Sequence, residues 1–64
     1  MLQAGDIVEL ISEPQLYFGK PDWLKVGGRY TFRYYDGCCV CVANPLDPKG
    51  IGCHFNKDRV RKIS

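Results

Sequence analysis

The stretch Gly28-Arg29-Tyr30-Thr31-Phe32-Arg33-Tyr34-Tyr35-Asp36-Gly37-Cys38-Cys39-Val40-Cys41-Val42-Ala43 decides the fold. Its first half alternates, which puts Tyr30, Phe32 and Tyr34 on one face of a strand and Arg29, Thr31 and Arg33 on the other. Asp36-Gly37 follows, the strongest hairpin signal in the chain, and fits a type I′ turn whose two central residues need positive φ. Cys38 to Ala43 then returns as the partner strand. Downstream, residues 44–50 form a wider loop stiffened by Pro45 and Pro48, and Ile51 to Phe55 reads as a fourth strand. Asn56-Lys57-Asp58 is a tight turn that Asn56 can cap, and Arg59 to Ile63 closes as a fifth strand. Upstream, Gly5-Asp6 opens Ile7-Val8-Glu9-Leu10-Ile11, with Val8 and Leu10 facing inward and Ser12-Glu13-Pro14 ending the run. Residues 13–27 contain Pro14, Gly19, Pro21 and Gly27, a density of breakers that no helical period survives. They read as a long folded-over loop carrying Tyr17, Phe18 and Trp23.

Together these elements predict one all-β domain over residues 1–64. It is a five-stranded SH3-like small barrel with a long first loop and a single tight 3-10 turn before the last strand. Closure removes strand edges that a small open sheet tolerates badly. Sixty-four residues, 45% hydrophobic and 25% charged, suit an ordinary small globule rather than a disordered tail. No apolar run approaches the roughly 20 residues of a membrane span, and Met1-Leu2-Gln3 is unlike a basic signal-peptide start. A Met start and a basic, apolar finish are expected of a complete gene product, and the absence of a signal places it in the cytoplasm.

Three segments resemble a pattern common in small phage and prophage proteins: Gly5-Asp6-Ile7-Val8-Glu9-Leu10-Ile11, Leu24-Lys25-Val26-Gly27-Gly28-Arg29-Tyr30, and Phe55 through Arg59-Val60-Arg61-Lys62-Ile63. Those proteins read G-D-x-V-x-L, then L-x-x-G-x-x-Y-x-V, then an R-F strand, and fold as SH3-like barrels. Here Val60 stands where the pattern usually has Phe. The resemblance covers most of the chain, through residues that build a barrel. It implies a short protein from a mobile element, of a family mostly without assigned functions, acting as an adaptor on host machinery. Eukaryotic peptide-binding SH3 domains are a poorer match, because the chain has no Ala-Leu-Tyr-Asp-Tyr motif and no paired tryptophan.

Four cysteines, Cys38, Cys39, Cys41 and Cys53, stand in a chain without a secretory signal, so structural disulfides are not expected. If Val42 faces Ile51 across the 44–49 loop, then Val40 faces Cys53 and Cys38 faces Phe55, an apolar core face throughout. Cys39 then lies opposite His54 on the outer face, and Cys41 opposite Gly52. Cys39, Cys41 and His54 are the one zinc set the chain offers. Yet a C-x-C pair along a strand spreads its sulfurs by roughly 7 Å, and no fourth ligand is near. A Cys39–His54 nucleophile pair lacks an orienting group and an oxyanion donor. The cysteines therefore read as small hydrophobes. Metal, cofactor and catalytic residues are all expected to be none.

Net charge is only +2, too little to mark a dedicated polyanion binder. The first nineteen residues hold Asp6, Glu9 and Glu13 with no Lys or Arg, whereas the last eight hold Lys57, Arg59, Arg61 and Lys62 against Asp58. In a barrel whose first and last strands pair, Asp6 and Glu9 meet Arg59 and Arg61, and Lys57 and Lys62 stay free. The remaining surface signal is aromatic and basic. Tyr17, Phe18, Trp23 and Tyr35, with Lys20, Lys25 and Arg33, are the expected partner-binding residues, since Tyr, Trp and Arg anchor protein interfaces. The first expectation is a non-enzymatic protein-interaction module, monomeric or weakly dimeric, docking on a host or phage protein through the 13–27 loop. The alternative is a barrel binding single-stranded or duplex nucleic acid, because aromatics beside cations also make stacking platforms for bases. A zinc- or thiol-dependent protein built on Cys39, Cys41 and His54 is the third. No membrane partner is expected.

Overall fold

The computed structural model describes residues 1–16 and 19–63. Five strands form one antiparallel sheet: β1 Ile7–Leu10, β2 Arg29–Asp36, β3 Cys39–Val42, β4 Cys53–Asn56 and β5 Val60–Lys62. A 3-10 turn, Lys57–Arg59, joins the last two strands. Among the described residues there is no α-helix, and no helix is long and apolar enough to cross a membrane. The 3-10 turn begins as its sequence predicts: the Asn56 Oδ1 accepts from the Asp58 N–H at 2.9 Å.

The strand order is β4-β3-β2-β1-β5. The expected barrel closure is not observed. β4 and β5 are the two ends of the ladder, and the sheet remains open between them. Three-residue β5 and four-residue β4 are short edges, which limits how much unpaired main chain each presents. β1 pairs with both β2 and β5, with Glu9 opposite Arg61 and Val8 opposite Lys62. The predicted charge exchange between the chain's two ends is thus present for Glu9 and Arg61, but Lys62, expected to stay free, takes the place of Arg59 opposite Asp6. Arg61 meets Glu9 at 3.1 Å and Lys62 meets Asp6 at 3.6 Å, whereas Arg59 donates to the Ser12 hydroxyl at 3.3 Å.

The core is Val8, Leu10, Leu24, Tyr30, Phe32, Val40, Val42 and Phe55. Val8 and Leu10 on β1, Tyr30 and Phe32 on β2, and Val40 and Val42 on β3 are the inward residues that alternation predicts. Leu24 reaches the core from the first loop, where it is fully buried.

Three local features depart from the sequence reading. The hairpin turn is Gly37-Cys38, not Asp36-Gly37, with Asp36 opposite Cys39. Gly37 has φ +62° and no described non-glycine residue has positive φ, the pattern of a type II′ turn with Gly in first place. A bulge between Phe32 and Tyr34 inserts Arg33 as an extra residue. It turns Tyr34 outward, where it opposes Cys41, and leaves Tyr35 opposite Val40. The β3–β4 register is also shifted by two residues: Val42 opposes Cys53, Val40 opposes Phe55 and Cys41 opposes His54. An even shift conserves the faces, so Val40, Val42 and Phe55 still enter the core.

The register follows from how the 43–52 connection is built. Asn44 and Asp47 pair in a bridge, the Asn44 Oδ1 accepts from the Leu46 N–H, and the Asp47 carbonyl accepts from the Gly50 N–H. Ile51 and Gly52 extend the connection beyond these turns, so pairing with Val42 begins at Cys53 rather than at Ile51. Arg33, displaced by the bulge, clamps the connection by donating to the Gly50 carbonyl at 2.9 Å. Gly52 then passes hard against β3: a Cβ there would lie 2.1 Å from the Val42 carbonyl oxygen.

Candidate functional site

The first loop is fastened at its base by main-chain bonds. Ile11 N–H donates to the Arg59 carbonyl and Gly27 N–H to the Leu10 carbonyl, each at 2.7 Å. Within it, Leu24 N–H reaches the Pro21 carbonyl and Gly28 N–H the Lys25 carbonyl, which folds residues 21–28 into two consecutive turns. Gly27 sits at φ +88°, a left-handed position that favours glycine.

Tyr30 locks this arm to the sheet. Its hydroxyl donates to the Trp23 carbonyl and accepts from the Lys25 N–H, both at 2.8 Å. Its ring meets the Trp23 indole edge-on at 5.7 Å. Gly28 has to be glycine for this to happen, since a Cβ there would lie 2.3 Å from the Tyr30 hydroxyl oxygen. Tyr30→Phe is expected to cost about 1–3 kcal/mol, because it leaves a partly buried donor and acceptor unpaired. Urea denaturation gives the loss, and amide exchange at Lys25 tells whether the arm has loosened. A stability change below the fitting error would show that water replaces the hydroxyl at no cost.

The expected binding residues divide among separate places. Trp23 is half-buried against the core, so it anchors the arm while keeping an exposed edge. Lys20 pairs with Glu13 across the loop, and Lys25 is exposed beside the Trp23 segment. Tyr17 and Phe18 lie outside the described residues. Arg33 is half-buried in its clamp on Gly50, with its guanidinium carbon 5.9 Å from the Tyr34 ring centre. Tyr35 packs edge-on against Phe32 at 4.9 Å and accepts from the Leu2 N–H at 3.1 Å. It borders a shallow groove of about 280 Å³ whose other walls include Leu2, Lys57, Val60 and Lys62. Tyr30, which holds the arm, and Tyr35 are five residues apart on β2, or about 16 Å along a strand. Trp23 and Lys25 therefore belong to the arm that Tyr30 holds, Lys20 is paired with Glu13, and Arg33 and Tyr35 are held at separate places.

The bulge creates a further surface that alternation does not foresee. Tyr34 and His54 meet on the outer face of the sheet, hydroxyl to Nε2 at 3.1 Å, with the rings edge-on at 5.7 Å. Asp36 stands 3.9 Å from the same His54 nitrogen. Cys41 lies fully buried next to them. The hydrogen bond between the Tyr34 phenol and the Cys41 thiol, then the charge Cys41 would carry, holds Tyr34 above its ordinary value of 10.0. Cys39 faces Asn56 rather than His54. Among the described residues, no three His, Cys, Asp or Glu side chains converge on a point that could hold a metal ion. Ile51, expected on the core face opposite Val42, is instead 91% accessible because β4 begins at Cys53, and Leu46 in the proline-flanked loop is 82% accessible.

No protein-family model matches the chain, and neither a curated protein nor a solved structure matches it. The functional reading therefore rests on the geometry of the chain itself.

Proposed function

We propose that this chain is a non-enzymatic protein-interaction module, an SH3-like small β-domain of the phage and prophage type that docks on a host or phage protein through its 13–27 loop. The observation that carries the reading is the fastening of the 21–28 arm by Leu24, Tyr30 and main-chain bonds at its base. An arm already fastened over residues 21–28 loses little conformational freedom on binding, so its exposed groups contribute more of their contact energy to affinity. Trp23 and Lys25 lie in that arm with Lys20 just before it in the chain, and Trp with basic neighbours is a composition common at interface anchors. The reading places the chain in a reducing cytoplasm, where four unpaired cysteines are ordinary. It works as a monomer or weak dimer.

The test is retention of a discrete partner from host lysate by the immobilised chain, compared with a Lys20→Glu/Lys25→Glu double variant. Loss of that partner with an unchanged melting temperature supports docking through the loop. Retention by the double variant at wild-type level would sink it.

A second reading, nucleic-acid binding, is favoured by one specific observation: Tyr34, His54 and Arg33 set two aromatic rings beside a cation on the outer sheet face. Short oligonucleotides titrated into labelled protein at low and near-physiological salt separate the two. Shifts centred on Tyr34 and His54 that fade with salt would replace the adaptor reading.

A further inference from the structure

Cys38 and Cys39 stand at the tip of the β2–β3 hairpin, at the last position of the Gly37-Cys38 turn and the first position of β3. Cys38 is exposed and Cys39 half-buried, and the two are consecutive in the chain at the end of the hairpin turn. The other cysteines are placed differently: Cys41 is fully buried and Cys53 is partly packed against the core.

We propose that Cys38 and Cys39 form a vicinal dithiol site for trivalent arsenicals. Three features of the geometry favour this ligand class over the usual fates of paired thiols. Consecutive Cα atoms lie about 3.8 Å apart, closer than the roughly 4.4–6.8 Å that a disulfide ordinarily spans. Direct S–S closure is therefore strained, and a bridging atom relieves it by enlarging the ring. Zinc seeks four ligands, and the described residues bring no third one to the pair. Trivalent arsenic carrying one organic group needs only two thiols, and it accepts them on the same side at an acute angle. A soft cation that prefers two opposed sulfurs does not fit neighbours held together in a tight turn.

The protonation state also suits the reaction. Burial, then the adjacent Cys38 thiol, then Asp36 hold Cys39 above its ordinary value of 9.0, so Cys39 enters as a thiol at neutral pH. With phenylarsine oxide, two S–As bonds form and the arsenic–oxygen bond breaks. Both thiol protons leave with that oxygen as one water. Arsenic remains trivalent, and nothing is oxidised or reduced.

The experiment uses the full chain, reduced, with one equivalent of phenylarsine oxide followed by excess glutathione, read by intact mass. The wild-type chain is expected to keep one arsenical, with the mass of one water lost, and to release it only to a dithiol such as dimercaptopropanol. Cys38→Ser and Cys39→Ser should each surrender it to glutathione, with retention weaker by roughly a hundredfold, because the second bond is no longer intramolecular. Cys53→Ser should retain it. Proteolysis of the wild-type adduct provides a readout independent of how any variant folds, and should place arsenic on the peptide containing both Cys38 and Cys39. A wild-type adduct labile to glutathione, one that survives in either single hairpin variant, or one that maps to Cys41 or Cys53 would overturn the proposal.

Discussion

Phe32→Ala is expected to destabilise the domain by about 3–5 kcal/mol, the range for deleting a buried aromatic ring. Phe32 is 2% exposed, faces Val42 across the β2–β3 pair and takes the edge of Tyr35 at 4.9 Å. Its main chain is committed as well: the Phe32 N–H donates to the Asp6 carbonyl and its carbonyl accepts from the Gly5 N–H. Natural domains hold roughly 0.05–0.15 kcal/mol per residue, which for this length comes to about 3–10 kcal/mol in total. Losing this ring therefore consumes a large part of the stability, and a sizeable unfolded fraction should appear near 37 °C. Phe32→Leu, which keeps most of the volume, should cost about 1.5 kcal/mol or less. Urea titration of both variants decides the matter. An alanine variant within 1 kcal/mol of wild type would mean that the ring is not central to the core.

Gly52→Ala carries the second large effect, and its cause is a main-chain clash. The new methyl would stand 2.1 Å from the Val42 carbonyl oxygen and 3.2 Å from the Cys41 sulfur. A side chain can rotate away from such a contact, whereas the carbonyl of a residue paired on both sides moves only with its strand. The cost is expected to reach about 3 kcal/mol or more, the upper end for overpacking a well-filled site. A double variant identifies the atom responsible. Cys41→Ala removes the sulfur and leaves the carbonyl, so it should fail to rescue Gly52→Ala in thermal denaturation. Full rescue would assign the clash to the thiol and refute the main-chain account.

Much of the architecture could be read from residue order. Alternation in Arg29 to Phe32, the Val40/Val42 pair and the Asn56 cap located strands, core and 3-10 turn within a residue or two. What escaped was whatever a period of two does not encode. The segment Tyr-Thr-Phe-Arg-Tyr-Tyr reads as continuous alternation, yet a bulge at Arg33 sends Tyr34 outward; the main-chain bond pattern decides this, and the sequence alone does not reveal it. The β3–β4 register escaped because a shift by two conserves every face, and only the internal turns of the 43–52 connection count the residues correctly. Closure was expected from the penalty on free edges, but short edges also reduce that penalty.

The candidate surface was legible in part. The breaker-rich loop pointed to Trp23, Lys20 and Lys25, of which Trp23 packs partly against the core and Lys20 pairs with Glu13. Arg33 and Tyr35 matched the same composition but are held elsewhere, one on the Gly50 carbonyl and the other against Phe32. Composition ranks residue types and carries no distances. The Tyr34–His54 contact joins residues 20 apart through that bulge and that register together, the two features hardest to infer.

The pairing of β1 with β5 also governs the order of events during synthesis. β1 leaves the ribosome well before β5, but its Glu9 and Leu10 find Arg61 and Val60 only once the chain through Lys62 has emerged. Until then one side of β1 is bare, and the bond from Ile63 N–H to the Ile7 carbonyl cannot form. Closing a loop of this sequence separation costs entropy before any contact repays it. The sheet is therefore expected to complete only once β5 is available, and until then chaperones, proteases or a neighbouring copy can reach a bare β1.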